Sequence, residues 1–181
     1  YTERVFLTGA DPLAVGYERM LRILKLIKKY FPYCGCVAAY ASVRSLKRYS
    51  VGELAALHRE GLRLLYVGFE TGNDEALAFM KKGNTAEEAI QQGRKLTEAN
   101  MIFNAIIMYG IAGKDKCVEN AKWTAKMLNQ LKPRKIITMN LTVFQGTELA
   151  SLVKEGKFAE AGVKEKMREI KSLIERLDIE K

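Results

Sequence analysis

The chain has 181 residues, 48% hydrophobic and 28% charged, with a formal charge of +9. That length and balance suit one globular domain with a sizeable core and exclude a disordered or low-complexity chain. The longest apolar runs, such as Ala105 to Tyr109, fall far short of the roughly 20 residues a membrane helix needs, and no signal-peptide pattern opens the sequence; a cytoplasmic protein without membrane contact is expected.

The three cysteines, Cys34, Cys36 and Cys117, form no disulfide framework, in keeping with a reducing compartment. Most of the positive charge falls on predicted helix faces such as LRILKLIKKY and VKEKMREIKSLIERL, where it is usually solvated, so charge alone is weak evidence for nucleic acid.

In chain order, apolar strand patterns run from Arg4 to Thr8, Cys36 to Ser42, Leu64 to Phe69, Ile102 to Tyr109 and Lys135 to Val143, each followed by a helical pattern. A helix is expected from Tyr17 to Tyr30. Capping boxes mark two further helix starts, Ser50 with Glu53 and Thr85 with Glu88. In the closing helix, expected over about 163–178, Val163, Met167, Ile170, Ile174 and Leu177 form an apolar stripe that should pack back on the domain.

Strands alternating with helices imply right-handed crossovers and a parallel sheet, either open or curled toward a barrel. Five βα units are too few to close an eight-stranded barrel but suit an incomplete one. No linker divides the sequence, so one domain over residues 1–181 is expected, with its beginning missing.

In parallel α/β folds the ligand lies at the C-terminal ends of the strands, where loops and helix N-termini converge. The unusual polar residues gather at those ends: Gly9, Ala10 and Asp11 in FLTGADPL; Ser42 and Arg44; Glu70, Thr71 and Gly72; Gly110 and Gly113; Gln145, Gly146 and Thr147. Each has a plain alternative, as a turn glycine, a helix cap or a surface ion pair. Glu70 stands out, because it directly continues the apolar run LLYVGF and a carboxylate there needs a donor.

Several chemistries are excluded. GIAGKD does not have P-loop spacing, and no G-x-G-x-x-G occurs. The single histidine, His58, leaves no histidine metal cage and no Ser-His-Asp arrangement. Cys34 and Cys36 precede their strand while Cys117 follows one, so no shared metal site is expected of them. No catalytic or metal-binding residue is assigned.

With these residues in place, the chain resembles the radical S-adenosylmethionine superfamily, in its branch of Fe–S oxidoreductases related to Elongator-type, tRNA methylthiolase and oxygen-independent coproporphyrinogen oxidase enzymes. FLTGADPL is similar to the Gly-Gly-Glu-Pro motif that holds the methionine amino group, with Ala10 in place of a glycine and Asp11 of a glutamate. YASVRSL, LLYVGFETGNDEALAFMKKGNTAEEAI, NAIIMYGIAGK and LTVFQGTEL follow the later strand ends in family order.

The resemblance implies a partial (βα)6 parallel barrel binding S-adenosylmethionine through Gly9, Ala10, Asp11, Ser42, Arg44, Glu70, Lys82, Ile107, Met108, Tyr109, Gly110 and Val143. Asp11 would take the ammonium and Lys82 the carboxylate, Ile107 to Gly110 would lie along the adenine, and Val143 would add a contact from the last strand. It further implies a [4Fe–4S] cluster in the complete protein. The reduced cluster would cleave S-adenosylmethionine to methionine and a 5′-deoxyadenosyl radical, which removes hydrogen from an unidentified small-molecule or RNA substrate. The electron would come from a flavodoxin- or ferredoxin-like donor.

The family's C-x-x-x-C-x-x-C loop does not occur in the sequence. The expectation is therefore a fragment that lacks the first strand and the cluster loop, holds no cluster and is inactive alone. Two rival readings remain. One is a cofactor-independent α/β-barrel enzyme acting on a phosphorylated metabolite, with Arg44 and Lys82 as anion ligands and Glu70 as base; the other is a basic RNA-binding module.

Overall fold

The computed structural model describes residues 1–178. Five strands, β1 (Arg4–Leu7), β2 (Cys36–Ser42), β3 (Leu62–Glu70), β4 (Ile102–Tyr109) and β5 (Lys135–Asn140), form one parallel sheet in sequential order, with β1 and β5 at its open edges. The helices between them are α1 (Tyr17–Tyr30), α2 (Val43–Leu46), α3 (Val51–Arg59), α4 (Asp74–Phe79), α5 (Ala86–Glu98) and α6 (Cys117–Leu131); α7 (Glu148–Lys154) and α8 (Val163–Ile174) follow β5. This is the expected α/β architecture.

Alternation along the strands explains which face is covered. Leu65, Val67 and Phe69 of β3 are fully buried, whereas Tyr66 and Gly68 between them are only partly so. Val37, Ala39 and Ala41 repeat the pattern on β2, in register with β3 through Ala39↔Leu65 and Ala41↔Val67. Phe6, Tyr40 and Tyr66 meet edge to face on the other side of these strands, with ring centroids 5.0–5.9 Å apart.

The chain forms two compact units, each discontinuous in sequence. The first comprises residues 1–69, 87–106 and 133–137, the second residues 70–86, 107–132 and 138–181. In the first unit α1 buries Met20 and Leu24 and turns its lysines outward. The box at the start of α3 is present: the Ser50 hydroxyl accepts from the Glu53 N–H, and the Glu53 carboxylate accepts from the Ser50 N–H at 2.7 Å. The second unit is built around α6, which buries eight of its fifteen residues.

Four expected boundaries are corrected. β1 stops at Leu7, one residue early, and β3 runs from Leu62 to Glu70 instead of Leu64 to Phe69. β5 stops at Asn140, not Val143: the Leu141 N–H still reaches the Tyr109 carbonyl, but Thr142 to Gly146 lead into a new helix whose cap is the Thr147 hydroxyl. α8 ends at Ile174 because the backbone beyond it is taken up by Asn129, whose side chain bonds the Arg176 carbonyl and the Asp178 N–H.

The orientation of α8 is corrected as well. Val163, Met167 and Ile174 are 75%, 65% and 61% exposed, so the stripe faces outward for most of its length. The inward residues are Glu169, Ser172 and Leu173. The helix is seated by a polar anchor. The Glu169 carboxylate accepts from the Asn120 side-chain amide at 2.6 Å and from the Gly110 N–H at 2.8 Å, which satisfies a buried charge that would otherwise oppose burial of that face.

Gly72 shows how closely the second unit is packed. A Cβ there would lie 2.3 Å from the Trp123 carbonyl oxygen, on the backbone of α6. Gly72→Ala should therefore force a backbone shift and destabilise the chain by about 1–3 kcal/mol, measured by urea denaturation. Gly52→Ala, at an exposed position of α3 where the nearest atom to a new Cβ is 4.0 Å away, is the control and should not destabilise.

Candidate functional site

The tip of β1 leaves the strand through Gly9, whose φ of +113° requires a residue without a side-chain clash, and a Cβ there would meet nothing within 4 Å. The backbone is thus open to close approach. Ala10 is exposed beside it. Asp11 comes next and starts the 3-10 turn Pro12–Val15, but its side chain makes no cap bond to that turn.

Instead the Asp11 carboxylate turns to the end of β2. Oδ2 accepts the Ser42 hydroxyl at 2.6 Å, and Oδ1 accepts the Ser42 N–H at 3.4 Å. Ser42 in turn caps α2, its hydroxyl accepting from the Ser45 N–H at 3.0 Å. Two more bonds fasten the same loop: the buried Tyr49 hydroxyl donates to the Leu13 carbonyl at 2.6 Å and Arg48 donates to the Ala14 carbonyl at 3.0 Å. Burial pushes the Tyr49 phenol up to about 12, so it remains a donor at any ordinary pH. Lys95 then ties the other end of the segment, donating to the carbonyls of Leu46 and Tyr49 at 3.0 and 2.6 Å.

A carboxylate has about four acceptor positions, and Ser42 uses two of those on Asp11. The half-buried group therefore keeps capacity for a cation while being held in place. Arg44 stands exposed on α2.

In the second unit Glu70 closes β3 with φ +66°, a left-handed conformation that costs a non-glycine residue roughly 1–2 kcal/mol. Its carboxylate accepts from the Lys82 ammonium at 3.0 Å, and both side chains are partly covered. Lys81, by contrast, is exposed and pairs with Glu148. Thr71, directly after Glu70, is fully buried and donates to Asn120 at 2.7 Å, which joins this strand end to the Glu169 anchor.

Of the residues expected to lie along the adenine, Ile107 is buried and Met108 and Tyr109 are half-buried. The Gly110 N–H is occupied by Glu169, and the side chain of Lys166 crosses the place where a Cβ would stand. Val143 lies three residues beyond the end of β5, half-buried.

The structure thus brings Asp11 to Ser42 and Glu70 to Lys82. Sequence reasoning named these four residues but not their pairing. It missed Tyr49 and Glu169 altogether, and the sequence around Glu169, Arg168-Glu169-Ile170, offers no signal distinguishing it from a surface glutamate.

The cysteines do not fit an iron–sulfur cluster. Cys34 and Cys36 are half-buried in the first unit; Cys117 is buried in the second, with its thiol directed to the Gly113 carbonyl. Burial, with the Glu169 carboxylate beside it, pushes the Cys117 thiol up to about 12, while a metal ligand must be a thiolate. Among the described residues no group of three histidine, cysteine or acidic side chains could hold a metal.

The Asp11 and Ser42 side chains should prove energetically coupled. In a double-mutant cycle of Asp11→Ala and Ser42→Ala, urea denaturation should give an interaction energy of about 1 kcal/mol or more, as for a charge-assisted hydrogen bond. Strict additivity would show that the 2.6 Å contact does not hold the tip.

Comparison with known proteins bears on the family and the fold. Residues 1–123 match the Radical SAM superfamily. A search of curated proteins gives no significant match.

Among solved structures, coproporphyrinogen III oxidase (HemN) from Escherichia coli superposes with a TM-score of 0.76 at 16% identity, over 96% of this chain and 39% of that one. Elp3 from the archaeon Methanocaldococcus infernus gives 0.74 at 18%, over 95% and 45%. A domain of pyruvate-formate lyase-activating enzyme from Bacteroides vulgatus gives 0.61 at 18%, over 95% and 93%. The chain therefore spans under half the length of the first two and nearly the whole of the third, and at these identities the likeness is one of fold. By its match over residues 1–123 and its open parallel βα architecture, the chain belongs to the radical SAM superfamily.

Proposed function

We propose that this chain is the S-adenosylmethionine-binding core of a radical SAM oxidoreductase. The observation that carries the reading is the Asp11 carboxylate, held by Ser42 at the open tip of β1 in the segment that resembles the family's amino-group motif. Asp11 accepts from the methionine ammonium beside the bare backbone of Gly9 and Ala10. Arg44, exposed just beyond Ser42, supplies positive charge to the same ligand.

In the second unit, the resemblance gives Lys82 the role of taking the carboxylate, and Glu70 orients the lysine through their 3.0 Å ion pair. A lysine does this as a point charge, without the two-pronged geometry of an arginine. The backbone from Ile107 to Gly110, with Val143, borders the adenine. S-adenosylmethionine, when bound beside a reduced cluster, supplies radical chemistry that removes hydrogen from a substrate; the protein supplies binding and orientation. The described cysteines are unsuited to that cluster, so no electron-transfer step is assigned to this chain's residues. A flavodoxin- or ferredoxin-like donor would provide the electron, and the substrate would be a small molecule or RNA.

The lysine assignment separates neighbours. Lys82→Ala should weaken S-adenosylmethionine binding about tenfold or more, the worth of one charge-assisted hydrogen bond, whereas Lys81→Ala should change it less than about twofold, as for an exposed pair. Equilibrium dialysis with labelled S-adenosylmethionine decides; equal affinities for wild type and the Lys82 variant would remove Lys82 from the site.

A further inference from the structure

A cavity of about 300 Å³ lies wholly within the second unit, walled by α4, the loop between β4 and α6, and residues Lys157 to Ala159. It includes none of the residues assigned above to S-adenosylmethionine. Its walls are preformed. The Lys114 N–H donates to the Ala159 carbonyl at 2.8 Å, the Asp115 N–H donates to Glu165 at 2.8 Å, and at Gly113 (φ +83°) a Cβ would lie 2.9 Å from both the Ala159 oxygen and the Phe158 ring.

Three features of the lining point to one ligand chemistry. Phe79 stacks on buried Phe158 with centroids 5.5 Å apart and planes at 23°, yet remains 41% exposed and lines the cavity. Lys114, Lys116 and Lys157 line the cavity against a single carboxylate, Glu75. The ion pairs there, Lys116 with Glu75 at 3.8 Å and Lys157 with Glu155, are exposed and weak, and Lys114 makes none among the described residues.

The third feature is Asn73, only 8% exposed. Its Oδ1 caps α4 by accepting from the Ala76 N–H at 3.2 Å, and its side-chain NH2 has no acceptor among the described residues. The Asn73 amide thus presents a free donor at the wall of a basic cavity that also carries an aromatic ring, a lining suited to an anionic ligand.

We propose that this cavity binds a nucleoside phosphate. The base packs against the exposed part of Phe79, where any of the four bases offers a π face. The phosphate lies among Lys114, Lys116 and Lys157 and accepts from the Asn73 amide. The same chemistry is presented by a free nucleotide and by the phosphorylated end of an RNA strand.

Calorimetric titration of this chain with AMP, adenosine and inorganic phosphate tests the assignment. AMP should bind at least about tenfold more tightly than adenosine or phosphate alone, since it engages both halves of the site. Phe79→Ala should weaken AMP and adenosine but leave phosphate unchanged; Lys114→Ala should weaken AMP and phosphate but not adenosine. Asn73→Asp keeps the helix cap and replaces the free donor by a negative charge. It should weaken AMP about tenfold with an unchanged melting temperature.

A 5′-phosphorylated hexaribonucleotide distinguishes the sources: binding tighter than AMP assigns a strand end, binding no tighter a free nucleotide, and either supports the site. The proposal is overturned if wild type does not bind AMP at millimolar concentrations, if Asn73→Asp and Phe79→Ala bind it unchanged, or if saturating S-adenosylmethionine displaces it. Asp11→Ala should leave AMP affinity unaltered, so loss of the S-adenosylmethionine reading and loss of this one are told apart.

Discussion

The hydrogen bond from the Ser42 hydroxyl to the Asp11 carboxylate, 2.6 Å long, fixes the tip of β1, on which the proposed binding of S-adenosylmethionine depends. Parallel strands deliver their C-terminal ends to loops whose backbone groups have left the sheet's bonding pattern, and something must satisfy and order them. Here a side chain from the end of one strand is ordered by the cap of the helix that follows the next. Ser42 serves both at once: it accepts from the Ser45 N–H as a cap and donates to Asp11 as an anchor. The bonds from Tyr49 and Arg48 to the carbonyls of Leu13 and Ala14 continue this fastening along the loop. A carboxylate held on one side by fixed donors is preorganised for a cation on its other side.

The second unit uses the same device with greater burial. Glu169, 3% exposed, takes the Gly110 N–H and the Asn120 amide, and Asn120 passes the connection to Thr71 beside Glu70. Charged and polar groups are costly to bury, but once fully satisfied they demand one geometry in a way that apolar packing does not. The left-handed Glu70 backbone fits this picture. Strain at a strand end persists only where its surroundings over-determine it, and here Thr71 on one side and Lys82 on the other hold the residue.

Much of the fold was legible because periodicity reports burial. β2 and β4 occupy the expected residues, α1 spans Tyr17–Tyr30 as expected, and α3 begins at the Ser50 box. The errors arise where periodicity is silent about partners. The apolar stripe of α8 is real, yet Glu169 on the opposite side finds two buried donors and so turns inward, which no pattern of three and four could disclose. Leu141 to Val143 reads as a strand by composition, but only the Leu141 N–H still reaches β4, at the Tyr109 carbonyl, and the turn into α7 follows at once, with the Thr147 hydroxyl donating to the Phe144 carbonyl.

The candidate site residues were legible one by one, and their pairing was not. Gly9, Asp11, Ser42, Glu70 and Lys82 each interrupt an apolar or helical pattern, which marks them as unusual. Their pairing depends on contacts across 31 and 12 positions, and the choice of Asp11 between helix cap and strand-end anchor is settled only by the fold.

The most direct measurement is calorimetric titration of S-adenosylmethionine into this chain and its Asp11→Asn and Asp11→Ala variants. If Asp11 holds the methionine ammonium, affinity falls in the order wild type, asparagine, alanine, with the alanine variant weaker by about 1.5–3 kcal/mol. An alanine variant that binds S-adenosylmethionine as tightly as wild type, whatever its stability, would contradict the assignment.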